Sequence, residues 1–155
     1  IRNPQRLYVW KYEMKLEAQW IVGFVDGEGC FSISINKNDT MTLGYQVLPE
    51  FTVVQHEKDV KVLHALKAYF RCGVVRVNRK DKTSTRMAYR VRNVKHLLDI
   101  ISPFFLEHQL KTQKNVEFRK FRKVLLLMDK GKHLTEEGLE EIRGIIGQMN
   151  RKNSG

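Results

Sequence analysis

The chain has 155 residues, the usual size of a single domain with its own hydrophobic core. Hydrophobic residues make up 42% and charged residues 29% of it, with ten Gly and only three Pro, which excludes a disordered or a fibrous protein. Lys and Arg number 28 against 17 Asp and Glu, a formal charge of +11. This excess favours a polyanionic partner, with nucleic acid ahead of an anionic membrane.

The cysteines and the apolar runs indicate which cellular compartment and which partners to expect. Cys30 and Cys72 form no CxxC pair, so a reducing compartment is favoured over a disulfide framework or a zinc ribbon. We expect an intracellular protein of an organelle (chloroplast or mitochondrion) or of the bacterial or archaeal cytoplasm. The apolar run at 124–128 is far shorter than the roughly 20 residues that cross a bilayer, and no glycine-rich phosphate loop is present. Neither a membrane nor a small-molecule cofactor is expected as a partner.

The first part of the chain predicts one helix and two strands. Residues 17–27 carry apolar side chains at helical spacing, and residues 31–36 alternate apolar and polar without a break, as in a strand with one buried face. A second strand is predicted from about 44 to 54, where Pro49 indicates an edge position or a bulge. Its inward positions are Tyr45, Val47, Phe51 and Val53.

The rest of the chain predicts another helix, a second pair of strands and further helices. The helix covers about 60–70, and the strands lie at 73–79 and after the turn at 81–84. The inward positions of these strands are Val75, Val77, Met87, Tyr89 and Val91. Later helical stripes lie before Pro103, over 116–128 and over 139–149.

These elements predict the fold class. Their order is αββαββα with an extra C-terminal helix, which indicates an α+β fold with one curved antiparallel sheet packed against helices. We expect a single domain over 1–155, in which residues 1–12 form an N-terminal extension. No internal repeat is visible.

The basic charge is concentrated on the second strand pair. Residues 71–95 hold nine basic residues and one acid, a net charge of +8. A small sheet can enter the DNA major groove, where side chains at alternate positions reach successive base edges. The alternative is an ordinary solvated sheet face. The candidate DNA-binding residues are Ser32, Ser34, Asn36, Asn38, Gln46, Thr52, Arg76, Asn78, Lys80, Arg86, Arg90 and Arg92.

One short motif is more specific than the charge. Residues 21–29 read IVGFVDGEG and run directly into the first strand. This segment resembles the motif of the LAGLIDADG homing endonucleases, with Glu28 at the eighth place. The αββαββα order and the segments 110–114 and 133–139 are similar to the same family. Because the chain has one copy of the motif, it resembles the single-motif, homodimeric type.

The resemblance implies a function, a cofactor and partners. Members of this family are site-specific endonucleases that hydrolyse both strands of a long pseudo-palindromic duplex, use Mg²⁺ or another divalent cation such as Mn²⁺, and mobilise an intron or intein. The sheet would then form a DNA-binding saddle. The alternative within the family is a DNA-binding protein without cleavage activity, or an intron RNA maturase.

The spacing within the motif makes physical sense for a paired helix. Gly23 and Gly27 lie four residues apart, so they share one helix face and let a second helix backbone approach closely. We assign Val22 and Asp26 to the same dimer interface, and the resemblance implies that Asp26 caps or hydrogen-bonds the paired helices and does not bind metal. Glu28 would lie beside its copy in the partner, where carboxylates and the Gly27 position hold a hard cation.

Two further catalytic positions come from the resemblance. The family has a polar residue that ends the second strand and a basic residue near the start of the third helix. Gln55 matches the first of these positions and Lys111 the second, with Lys114 as the alternative. Because Glu28, Gln55 and Lys111 are all present, cleavage is favoured over binding alone.

Overall fold

A computed structural model describes residues 14–150, so the predicted extension at 1–12 lies outside the described residues. The order of its first elements is the predicted αββαββ. They are α1 (Ala18–Glu28), β1 (Gly29–Lys37), β2 (Tyr45–His56), a 3₁₀ turn (Glu57–Asp59), α2 (Val60–Phe70), β3 (Val74–Lys80) and β4 (Thr85–Val91). The α+β fold class is therefore confirmed.

The helical part after β4 continues further than the sequence predicted. It comprises α3 (Val94–His96), a π-helical turn (Leu97–Ile101), α4 (Ser102–Glu107), α5 (Lys114–Asp129), a 3₁₀ turn (Lys132–Leu134) and α6 (Glu136–Asn150). The helical stripe predicted before Pro103 corresponds to α3 and the π turn, and the helix continues past Pro103. The chain widens into the π turn, where the Ser102 N–H bonds to the Leu97 carbonyl, and Pro103 lies in the first turn of α4. Pro is tolerated in a first turn because its missing N–H is not needed there.

The four strands form one antiparallel sheet in the order β1-β2-β4-β3. In β2, Tyr45 to Val53 pair with β1, and Phe51 to His56 pair with β4. Pro49 lies in the part of β2 that pairs on one side alone. It therefore occupies an edge-like position, as its missing N–H requires.

One face of the sheet, the inner face, is covered by the helices and forms the core. Phe31 and Phe51 stack with ring centroids 5.0 Å apart, and Phe105 of α4 packs edge-on against both at 5.7 Å. Tyr89 is buried among them and donates a hydrogen bond to the Cys72 carbonyl at 2.9 Å. Burial raises the pKa of the Tyr89 hydroxyl, which therefore stays neutral.

The edge strand β3 departs from the predicted alternation because it contains a β-bulge. Val77 pairs with Met87, and the next pair joins Arg79 to Arg86, so β3 advances by two residues where β4 advances by one. The residue between them, Asn78, is the extra residue of the bulge. Beyond the bulge Lys80 pairs with Thr85 on the inner side. Arg79 therefore takes the place on the outer face that the sequence assigned to Lys80.

Val77 is a second departure in this strand. The sequence predicts an inward side chain, but 54% of Val77 is exposed. Its pairing with Met87 keeps it on the inner side of the sheet. Because β3 is an edge strand, its side chains are less buried than those of the central strands β2 and β4.

Candidate nucleic-acid interface and active site

The motif forms the junction between α1 and β1, and this junction requires a glycine. The Gly29 N–H caps α1 by donating to the Val25 carbonyl. A Cβ at Gly29 would lie 2.6 Å from Val25 Cγ1 and 2.9 Å from Val25 O, too close for any side chain. The helix can therefore turn into the strand without a loop, and this leaves Glu28 exposed at the end of α1.

The motif glycines lie on the open face of α1. A Cβ added at Gly23 or Gly27 would meet nothing within 4 Å. Trp20 lies one turn before Gly23, stacks on Phe24 at 4.8 Å and is 45% exposed. This face, defined by Trp20, Gly23 and Gly27, is the α1 face, and it has the small residues that close helix packing needs.

Val22 does not belong to the α1 face. Only 1% of it is exposed, and it packs in the core of its own chain with Ile21 and Val25. Its assignment to a dimer interface is therefore wrong. Residues 22 and 25 are three apart and share a helix face, and this is the face that packs on the sheet.

Asp26 also makes its contacts within the chain. Its carboxylate accepts hydrogen bonds from the backbone N–H groups of Lys111 at 2.9 Å and Thr112 at 3.2 Å, and from the Thr112 hydroxyl at 2.7 Å. Burial works against ionisation of Asp26, but these hydrogen bonds and the Lys111 charge hold its pKa below the ordinary value. Asp26 thus ties α1 to the segment before α5, which is a different role from the predicted bond between paired helices.

Both candidate lysines contact the motif, at different places. Lys111 Nζ donates to Gln19 Oε1 at 3.1 Å, near the start of α1. Lys114 Nζ donates to the Gly29 carbonyl, directly after Glu28. The structure therefore brings both ammonium groups to the motif helix, with Lys114 at the end where Glu28 lies.

Gln55 reaches the same end of the sheet from β2. Gly29 and Val53 form the last β1–β2 pair, so Gln55 lies two residues beyond it, at the end of the sheet where α1 joins β1. It shares the inner side with Phe51 and Val53 and is half-buried. Glu28, Gln55 and the Lys114 ammonium group thus lie around the junction of α1 and β1, whereas the Lys111 ammonium group lies near the start of α1.

The oxygen donors at this end are few in a single chain. Within residues 14–150, no three His, Cys, Asp or Glu side chains lie together as a metal site. The Glu28 carboxylate is exposed, and the Gly27 carbonyl lies in the last turn of α1, where helix carbonyls lack an intrahelical partner. Two such oxygens suit a hard cation but form only part of its usual shell.

The face of the sheet opposite the helices, the outer face, carries the predicted DNA-binding residues. Ser32, Ser34 and Asn36 are exposed on β1, and Arg76, Asn78 and Arg86 on β3 and β4. Asn38 donates to Gln46 Oε1 at 3.1 Å across the β1–β2 connection. The remaining predicted residues of this face are Thr52 and Arg90, which are half-buried, and Arg92, which follows β4.

Sequence reasoning missed one residue of the outer face. Glu50 lies opposite Ser32 and accepts a hydrogen bond from Arg92 at 2.6 Å. Burial works against its ionisation, but the hydrogen bonds from Thr52 and Arg92 and the charges of Arg92 and Arg90 hold its pKa below the ordinary value. Its parity with Gln46 and Thr52 along β2 is the sequence signal that could have found it.

The comparisons with known proteins agree with this geometry. Residues 21–125 match the family described as LAGLIDADG endonuclease. The chain belongs to the LAGLIDADG endonuclease family. It is 35% identical over 127 residues to the probable intron-encoded endonuclease 2 of Neurospora crassa, a match that spans 82% of this chain but only 28% of the length of that relative. The DNA endonuclease I-CeuI of Chlamydomonas moewusii is 30% identical, over 86% of this chain and 62% of that protein.

Solved structures share the fold. The homing endonuclease I-TnaI superposes with a TM-score of 0.84 at 51% identity, over 90% of this chain and 92% of that one. I-LtrWI bound to target DNA gives a TM-score of 0.82 at 33% identity, over 88% of this chain and 45% of that one. I-SmaMI bound to uncleaved DNA with calcium ions gives 0.81 at 34% identity, over 86% and 45%. No helix within residues 14–150 has the length and apolar character to cross a membrane.

Proposed function

We propose that this chain is a site-specific endonuclease that cleaves both strands of a long pseudo-palindromic DNA site as a homodimer with a divalent cation. The observation that carries the proposal is the junction of α1 and β1. There Glu28 is exposed at the end of α1, Lys111 and Lys114 both contact this helix or the residue that follows it, and the outer face of the adjoining sheet is rich in arginine and amides. The relatives named as DNA endonucleases and the DNA-bound neighbours support it.

The outer face supplies the DNA contacts in this proposal. Arginine and asparagine side chains offer paired donors and acceptors for guanine and adenine edges in the major groove. Lysines and the remaining arginines neutralise phosphates and release counterions. The curved sheet would follow one half-site, with β1 and β2 nearest the centre because they adjoin α1.

The α1 face supplies the partner contact. The motif at 21–29 gives one set of catalytic groups, and the proposal takes the second set, needed for the second strand, from a second copy of this chain. A two-fold axis beside Gly23 and Gly27 would bring the two copies of α1 together and place the two Glu28 side chains near each other. Two chains would also offer two carboxylates, which completes a donor set that one chain provides only in part.

The residues around Glu28 fit a divalent cation. Glu28 and the Gly27 carbonyl would hold Mg²⁺ or Mn²⁺ together with the same groups of the second copy. A bound cation supplies charge stabilisation at the scissile phosphate and a water of lowered pKa. Gln55 would orient water at this place, and Lys111 or Lys114 would neutralise negative charge that develops on the phosphate.

One digestion experiment tests the proposal. The wild-type protein and Glu28→Gln are each incubated with a randomised duplex library and Mg²⁺, and bound and cut sequences are read separately. The wild type is expected to bind and cut one family of near-palindromic sites, and Glu28→Gln to bind the same sites uncut. Binding and selection by the wild type without cutting would instead support the alternative of a non-cleaving DNA-binding protein or intron RNA maturase. Absence of any selected site would refute the proposal.

A further inference from the structure

A carboxylate lies in the middle of the basic outer face and forms ion pairs with two arginines. Glu50 Oε2 accepts a hydrogen bond from Arg92 Nε at 2.6 Å, and Glu50 Oε1 lies 3.7 Å from Arg90 Nε. The Thr52 hydroxyl donates to the same Oε1. Both arginines were predicted to contact DNA, so one acid connects side chains that would otherwise act independently.

The contacts continue across the sheet to β3. Arg90 Nη2 donates to Asn78 Oδ1 at 2.6 Å, which extends the network from β2 through β4 to the bulge. The side chains of Arg90 and Glu50 are only 22% and 21% exposed. Solvent therefore screens this pair less than the usual surface ion pair. The Arg90 Nε atom is buried and donates no hydrogen bond within residues 14–150, so Glu50 acts on Arg90 through charge, and the hydrogen bond of Arg90 goes to Asn78.

We propose that Glu50 is a positioning residue that sets the base preference of this part of the half-site by fixing the orientation of Arg90 and Arg92. The inference rests on the proposed function, because it requires the outer face to bind duplex DNA. A held guanidinium meets base edges in one register, where two parallel hydrogen bonds distinguish guanine. An arginine without the carboxylate turns to whichever phosphate is nearest, and phosphate contacts carry no sequence information.

The same carboxylate opposes overall affinity. A negative charge on a surface that meets phosphates repels the partner and leaves less cationic charge for counterion release. Glu50 thus improves discrimination between base pairs and at the same time weakens the affinity for duplex DNA. This pair of opposite effects separates a positioning role from a purely structural one, because loss of structure lowers both.

The test compares E50Q with a matched control. E50Q keeps the size of the side chain and removes its charge. Discrimination at the base pairs read by Arg90 and Arg92 is expected to fall about tenfold. Binding to random-sequence duplex is expected to tighten, with a salt slope steeper by about one. E57Q makes the same charge change in the exposed 3₁₀ turn beside the sheet and is expected to leave the base preference unchanged.

A second set of variants shows whether Glu50 acts through the arginines. In the R90A/R92A background, E50Q is expected to cause no further change in base preference, as measured by selection from a randomised half-site. If E50Q does not fold, E50D takes its place, since it keeps the charge but withdraws the carboxylate from Arg92 by one methylene. Thermal unfolding of each variant monitors the fold.

The results distinguish failure of this inference from failure of the proposed function. A wild type that selects a site, with E50Q or E50D selecting the same one equally well, overturns this inference and leaves the proposed function standing. A change that persists in the R90A/R92A background also overturns it, because Glu50 would then read a base itself. A wild type that selects no site removes the proposed function, and this inference with it.

Discussion

Asp26 fastens α1 to the segment that carries Lys111, because its Oδ2 accepts a hydrogen bond from the Lys111 backbone N–H at 2.9 Å. Two further bonds come from Thr112, through the backbone and the hydroxyl. The start of α5 is therefore located relative to Glu28 by an acid of the motif itself. This contact makes the position of both candidate lysines depend on the carboxylate of Asp26.

The first prediction concerns this contact. Asp26→Asn keeps the shape but weakens three charge-assisted hydrogen bonds, so we expect it to lower the cleavage rate more than the affinity for DNA. The free energy of unfolding is expected to fall by about 1 kcal/mol, the usual contribution of such a hydrogen bond at a partly exposed position. Single-turnover cleavage and gel-shift titration measure the two effects. Thr135→Val is the control, since it removes a hydroxyl that donates to the Lys132 carbonyl and accepts from the Gly138 N–H, away from both the motif and the outer face.

The second prediction is a dependence of stability on pH. The pKa of Asp26 is lower in the folded protein than its ordinary value near 4. The ionised Asp26 therefore contributes its full stabilisation of the folded protein at pH values above that ordinary pKa. This stabilisation is lost as the pH falls through the lower, folded-state pKa. The difference in unfolding free energy between wild type and Asp26→Asn should be largest near pH 7 and shrink below about pH 4. A difference that stays constant down to about pH 3 would contradict the assignment.

The third prediction concerns the α1 face. Gly23→Leu is expected to abolish dimerisation and, with it, cleavage, because the side chain would separate the paired helices. The free energy of unfolding of the monomer should rise by up to about 1 kcal/mol, because Leu has a higher helix propensity than Gly and a Cβ at Gly23 meets nothing within 4 Å. Sedimentation on and off DNA measures the assembly. Gly144→Leu, at an equally open helix position, should leave it unchanged, and identical behaviour of the two variants would count against the interface.

The fourth prediction distinguishes the two lysines. Lys111→Met is expected to slow cleavage about 100-fold, the usual cost of one group that stabilises developing charge, with a much smaller loss of affinity. Lys114→Met removes the ammonium group from the Gly29 carbonyl and should affect cleavage less. The reverse order would assign the catalytic role to Lys114.

The fifth prediction concerns base reading by β3. Arg76 is exposed on the outer face, and Arg76→Ala should relax base preference at one position per half-site, at a cost of about 1 to 3 kcal/mol. Lys82 lies in the β3–β4 turn, so Lys82→Ala should weaken binding to all sequences alike. Selection from randomised half-sites measures both, and an unchanged profile for Arg76→Ala would exclude direct reading.

The regular parts of this fold could be predicted because their patterns are local. The unbroken alternation at 31–36 and the helical spacing at 17–27 each bury one face, and the bounds of β1 and α1 agree with them to within two residues at each end. The π turn before Pro103 was not predicted, because it is a tertiary adjustment that spacing does not reveal. The bulge at Asn78 was missed because polar residues follow it on both faces of β3.

The candidate site could be predicted in part, since the motif carries Glu28 and the glycines on consecutive helix turns. The inward position of Val22 and the bonds of Asp26 depend on which helix face meets the sheet. Glu50 was missed because cations and amides, not acids, are the side chains expected on a face that binds DNA. An acid that organises such a face becomes visible only when the partners of its carboxylate are known.

The alternation between the inner and outer faces has a consequence for how the recognised sequence can change over time. Side chains such as Ser34 and Arg76 are exposed on the outer face, so their replacement is expected to leave folding intact and to alter only the DNA contacts of the proposed function. Such positions can be exchanged singly as a target drifts. Arg90 and Arg92 share Glu50, so these three are expected to evolve as a set.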